Sequence, residues 1–144
     1  MIKITEKAID VQKVIETASN LGAGAVNAFI GTVRNKAKDK NVVWLEYEAY
    51  EAMAVAEIRK VIDEAAHKWN LLGWALSHRI GTLKPGEVAV VVAVSTAHRK
   101  ESFEACQYII DNVKAKTPIW KKEVFDDGEE WVDARPAMGQ AAVK

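Results

Sequence analysis

The side chains best suited to chemistry in this chain are cations gathered around one predicted helix. His98, Arg99 and Lys100 open it in STAHRKESFEACQYIIDNVKAKTPIWKKE (residues 95–123), and Lys114, Lys116, Lys121 and Lys122 surround the proline that follows it. From His98 to Lys122 six Lys or Arg residues stand against three Asp or Glu, whereas 123–133, EVFDDGEEWVD, holds six acidic residues and no basic one. Such a pattern fits a basic pocket beside an acidic hairpin, and hence the handling of anions. At His98 and Arg99 the unpaired N–H groups and dipole of a helix start favour a bound anion, the plain alternative being a solvent-facing histidine. Lys114 in the last turn either serves chemistry or simply complements the helix dipole. In an extended IWKKEVF (119–125), Lys121, Glu123 and Phe125 take one face and Trp120, Lys122 and Val124 the other, so one of the adjacent lysines lies among bulky apolar groups. A lysine crowded by cations and partly desolvated has a lowered pKa, which fits it for proton transfer or covalent work. Most lysines, however, are surface residues. Arg34, taken alone, reads as a solvated loop charge.

The other reactive types offer less. Cys106 lies three residues after Phe103 and four before Ile110, on the expected buried stripe, where a thiol acts as a small hydrophobe. As the single cysteine it excludes an internal disulfide or a Cys-based metal cluster within the chain. His67 and His78 show no ligand spacing, so no metal and no cofactor is assigned.

These side chains must be positioned by a small scaffold. The sequence has 144 residues, 49% of them hydrophobic, which suits one domain over 1–144. Lys plus Arg and Asp plus Glu both number 20, so no global field draws nucleic acid or an anionic membrane. No apolar run reaches membrane-spanning length, and the expectation is a cytoplasmic protein. Apolar spacing predicts a short helix through Val11, Val14, Ile15 and Ala18, a strand over 25–33, a mobile polar loop over 34–41, and a strand over 42–50 with Val43, Leu45, Tyr47 and Ala49 on one face. A long helix over 52–69 carries a stripe from Met53 to Trp69, and a strand over 72–80 leads to turn formers at 81–87. VAVVVAV (88–94) is apolar on both faces, the mark of an interior strand. The second long helix starts near Arg99 to Ser102, buries Phe103, Cys106, Ile109, Ile110 and Val113, and stops before Pro118. A hairpin turning at Asp127 and Gly128 closes the order α-β-β-α-β-β-α-β-β, an α+β arrangement with a mostly antiparallel sheet and two long helices.

Several strings in order, FIGTVRN (29–35), HRIGTLKPGE (78–87), the 95–123 segment and WVDAR (131–135), resemble the catalytic large subunit of molybdopterin synthase. The likeness runs from about residue 23 to residue 135 and is weakest outside that span. It implies an α/β hammerhead fold and an enzyme of molybdenum cofactor biosynthesis that converts cyclic pyranopterin monophosphate into molybdopterin. The two dithiolene sulfurs arrive as a thiocarboxylate on the C-terminal Gly-Gly of a small ubiquitin-like partner. The implied assembly is a homodimer that becomes a heterotetramer with that partner. By motif match, Lys114 and Lys121 correspond to the catalytic lysines, and Thr32, Val33, Arg34, His98, Arg99, Lys122 and Glu123 to substrate-binding positions. Arg135 matches an arginine near the other protomer's pocket. A reading of another class is a non-catalytic binder of nucleotides or single-stranded RNA that uses the same basic pocket, with Trp44, Trp120 or Trp131 as stacking platforms, against which zero net charge counts.

Overall fold

The computed structural model describes residues 1–133. Two sheets share the chain. The first runs β1 (Ile2–Thr5), β5 (Gly73–Arg79), β7 (Val88–Thr96), β2 (Ala25–Thr32) in spatial order, with β1 parallel to β5 and the other neighbours antiparallel. The second runs β3 (Lys36–Ala37), β4 (Lys40–Ala49), β8 (Ile119–Phe125), β9 (Gly128–Asp133), with β6 (Gly81–Leu83) also paired to β4. Helices α1 (Val11–Ala18), α2 (Glu51–Trp69) and α3 (Arg99–Lys116) all pack on the first sheet. The α+β class and the two long helices therefore stand as read.

The apolar run of β7 explains this layering. Val90, Val92 and Val94 pack into one core with Ile58, Ile62, Ile109 and Val113 of α2 and α3, while the alternating Val91 and Ala93 join Val14 and Ala18 of α1. Each face of the strand is thus covered by helix, and the only polar residues on it, Ser95 and Thr96 at its end, are buried with their hydroxyls hydrogen-bonded to Ala18 O and His98 O. A separate core of Val33, Val42, Leu45, Leu83, Ala89 and Phe125 holds the second sheet to the end of the first.

The structure also corrects details. Three short strands, β1, β3 and β6, were not expected. Two of them lie in segments rich in charge or turn formers, where backbone pairing rather than side-chain pattern makes the strand. The polar segment 34–41 is a hairpin, not an unstructured loop. A register shift between Val42 and Trp44 turns Val43 out to solvent and Val42 into the core. On α3 the buried stripe passes through Ser102, Ala105 and Cys106, leaving Phe103 62% exposed, and on α2 Met53 is 57% exposed. In both helices a bulky side chain lies one position off the stripe that a small residue occupies.

Gly73 starts β5 where α1 crosses it, and a β-carbon there would run into the Ala18 carbonyl and approach Ser95 Oγ to 2.9 Å. Backbone cannot yield as a side-chain tip can. Gly73→Ala is expected to destabilise the fold by about 1–3 kcal/mol, read as a lower denaturation midpoint. An unchanged midpoint would contradict the close approach.

Candidate functional site

The termination of α3 brings Lys114 and Lys121 to one cleft. Pro118 has no N–H to continue the helix, so the chain turns at Thr117, whose N–H donates to Val113 O at 3.0 Å, and enters β8 at once. Lys114 from the last helical turn and Lys121 from β8 then face a single cleft of about 110 Å³. Gly31 and Thr32 of β2, Ala89 and Val90 of β7, His78 of β5 and Tyr47 of β4 complete its walls with Ile110, Val113, Thr117 and Ile119. Here β2 and β7 lose register between Gly31 and Thr32, an irregularity of the kind that re-aims side chains beside sites.

Lys121 is directly opposite Tyr47 across the β4–β8 ladder. Burial pushes its ammonium below the usual lysine range, nearby Glu123 opposes this, and the like charges of Lys114, Arg34 and Lys38 add to the lowering. Neither Lys114 nor Lys121 forms an ion pair among the described residues. His78 is deeply buried, packed edge-on to Tyr47 with ring centroids 5.3 Å apart, and its Nδ1 lies 2.8 Å from Arg79 O. A carbonyl accepts, so Nδ1 carries the proton and Nε2 is bare. Burial, with Lys114 nearby, pushes the His78 pKa down to about 4. Burial also raises the Tyr47 phenol above its ordinary value, helped by Glu123. Thr117 Oγ1 is buried without a hydrogen-bond partner among the described residues. The cleft therefore pairs uncompensated cations with neutral polar groups, an arrangement that attracts an anion and can exchange protons with it.

The remaining expected residues are spread more widely. Thr32 lines the cleft, and Arg34, just beyond it, is exposed and near enough to act on Lys121. Val33 is a core residue, its N–H donating to Glu87 O and its carbonyl accepting from Gly86 N. Glu123 is 4% exposed, 3.7 Å from Lys38 Nζ. Lys122 points to the opposite face of β8, within 3.5 Å of Glu46 and 3.7 Å of Glu129 and over the Trp131 ring. His98 is the N-cap of α3 and Arg99 its first residue, both exposed. Fifteen helical steps separate Arg99 from Lys114, about 22 Å at the helical rise, so one chain does not bring the two ends of α3 to one site. Arg135 lies outside the described residues. Cys106 is buried with Sγ 3.7 Å from Val92 O, and burial pushes its thiol up to about 11. Among the described residues no group of His, Cys, Asp and Glu is placed to hold a metal ion.

His78, Tyr47 and Thr117 were not singled out from sequence as site residues. The signal for Tyr47 was its alternation with Leu45 on β4. His78 sits inside HRIGTLKPGE, and Thr117 is the residue before the helix-ending proline.

Comparison with known proteins gives a consistent result. The family described as MoaE protein matches residues 4–116. A molybdopterin synthase catalytic subunit from Bacillus subtilis is 46% identical over 130 residues, covering 90% of this chain and 83% of the relative. The crystal structure of molybdopterin synthase from Staphylococcus aureus superposes with a TM-score of 0.86 at 38% identity, covering 90% of this chain and 95% of that one. A complex of subunits 1 and 2 of molybdopterin-converting factor from Helicobacter pylori shares the fold at 23% identity and a TM-score of 0.77, covering 99% of each chain.

The buried His78 has a consequence for acid stability. Unfolded, it takes a proton near its ordinary value of 6.5, whereas folded it resists until about 4, so the unfolded chain binds more protons in that window. Stability is expected to fall as pH drops from about 6.5 to 4, by on the order of 3 kcal/mol over the full window. In His78→Gln that part of the slope should vanish. Denaturant titrations at a series of pH values test this, and an equal slope in both proteins would show that the ring is not held neutral.

Proposed function

The chain belongs to the MoaE protein family, and on that premise we propose that it is the catalytic subunit of a molybdopterin synthase. It takes sulfur from the thiocarboxylated Gly-Gly terminus of a small ubiquitin-like partner and delivers it to cyclic pyranopterin monophosphate, building the dithiolene of molybdopterin. The observation that carries this reading is the cleft in which Lys114 and Lys121 stand with no ion pair among the described residues, the ammonium of Lys121 lowered in pKa by burial.

Both reactants are anions. The thiocarboxylate and the substrate phosphate each gain from fixed ammonium and guanidinium groups in a site partly closed to water, where such interactions are stronger than in bulk. Arg34 stands at the rim and Lys114 and Lys121 within, which suits them to hold the phosphate and the thiocarboxylate respectively. As sulfur is transferred to the pterin side chain, protons must be moved, and a lysine whose pKa is lowered by burial gives up and takes back a proton more readily than an ordinary lysine. The raised pKa of Cys106 leaves it unsuited to carry a persulfide, which agrees with sulfur borne by the partner.

Assembly follows from the same geometry. The Helicobacter pylori protein of like fold is a complex of two subunits, and a small-subunit partner is proposed here too. His98 and Arg99, about 22 Å along α3 from Lys114, reach the substrate only from a second copy of the chain, which supports a homodimer and, with the partner, a heterotetramer. Arg135, outside the described residues, is proposed on the family resemblance alone to serve with them. No helix among the described residues is long and apolar enough to cross a membrane, and a cytoplasmic location is proposed. The nucleotide or RNA-binding reading is disfavoured because Trp44, Trp120 and Trp131 share the face of Lys122, turned from the cleft that holds Tyr47 and Lys121.

Lys121→Ala is expected to lower sulfur transfer by at least about a hundredfold while leaving the melting temperature and partner binding near those of the parent. Lys114→Ala should also be severe. The check is dithiolene formation from cyclic pyranopterin monophosphate with a thiocarboxylated small subunit. Transfer by Lys121→Ala at the parental rate would remove Lys121 from the reaction.

A further inference from the structure

Lys38 sits at the tip of the β3–β4 hairpin, where it and Asp39 form the two-residue turn with φ of 53° and 62°. That left-handed turn is normally built from Asn and Gly, and a lysine tolerates it poorly. Outliers of this kind persist where the surroundings enforce them. Here the Lys38 Nζ lies 2.7 Å from Glu130 Oε1 and 3.7 Å from Glu123 Oε1. Glu123 and Glu130 are directly opposite each other on β8 and β9, a like-charge pair that repels unless a cation stands between them. Glu123 is also two residues from Lys121 on the same strand face, so whatever holds its carboxylate governs the field at that lysine.

We propose that Lys38 is a positioning residue for Lys121, drawing the Glu123 carboxylate toward itself and fixing the hairpin tip beside the cleft. The claim rests on the reading that Lys121 takes part in sulfur transfer. The charged groups acting on Lys121 are Glu123 from its own strand, Lys38 from the hairpin, Arg34 from beyond β2 and Lys114 from α3. Neutral Tyr47 and His78 face the same cleft from β4 and β5. Lys40, the other hairpin lysine, is paired with Asp127 at 3.5 Å. Losing Lys38 removes one like charge near Lys121 and leaves Glu123 to act on it alone. Both effects move its titration toward higher pH.

The test follows acetic anhydride labelling of Lys121 against pH by peptide mass spectrometry, beside the sulfur-transfer assay. Lys38→Met should raise the labelling midpoint of Lys121 and lower kcat at neutral pH about tenfold, the size of one charge-pair coupling. Lys38→Arg should restore both. Lys38→Asn keeps or improves the turn but removes the cation, and is expected to behave like Met. A parental midpoint in Lys38→Met, or a parental midpoint and rate in Lys38→Asn, would overturn the proposal. The labelling arm needs no turnover, so an inactive parent protein would count against the proposed function while the midpoints still decide the role of Lys38.

Discussion

Keeping a lysine half-buried among other cations is the constraint around which this molecule is arranged. Lys121 gains nothing from its neighbours Lys114, Arg34 and Lys38, and only Glu123 favours its charge. Such a position is unfavourable by itself and has to be enforced by the scaffold. The β4 ladder on one side and β9 on the other fix the backbone of Lys121, and the proline-ended α3 sets Lys114 at its place. The layered core behind β7 supplies the rigidity against which these elements are held.

The second sheet shows how the acidic hairpin contributes. Its carboxylates are distributed among lysines of the neighbouring strands, Glu130 to Lys38, Asp127 to Lys40 and Glu129 to Lys122. Exposed pairs of this kind add little stability singly. Their effect is selective: they occupy the lysines outside the cleft and leave those inside it unpaired. The charge reversal at residue 123 is thus resolved across strands rather than along the chain.

Much of this was legible in the sequence where side-chain pattern and position agree. The doubly apolar β7, the helix stop before Pro118 and the alternation in IWKKEVF each had one physical solution, and the structure adopts it. The failures have a common origin. Short strands such as β3 and β6 exist because a neighbouring backbone pairs with them, and Phe103 is exposed because the stripe is set by helix rotation, with Ser102 inside, rather than by residue size. The site was legible as a set of cations but not as a geometry. The predicted helix already spaces His98 and Lys114 along its length, but nothing in 95–123 shows that His78 and Tyr47, distant in sequence, form the opposing wall.

The cleft is bounded by parts of unequal resistance to opening. Ala89 and Val90 belong to β7, which is hydrogen-bonded on both edges and covered on both faces, so its amides exchange with solvent only through the largest unfolding events. The opposite wall rests on β4 and β8, which among the described residues pack mainly against other strands, and its hairpin rim is one two-residue strand held at its tip by a lysine. Local opening there costs far less than opening of the floor. Access to the cleft is therefore easiest past the yielding rim, while the residues beneath it keep their positions.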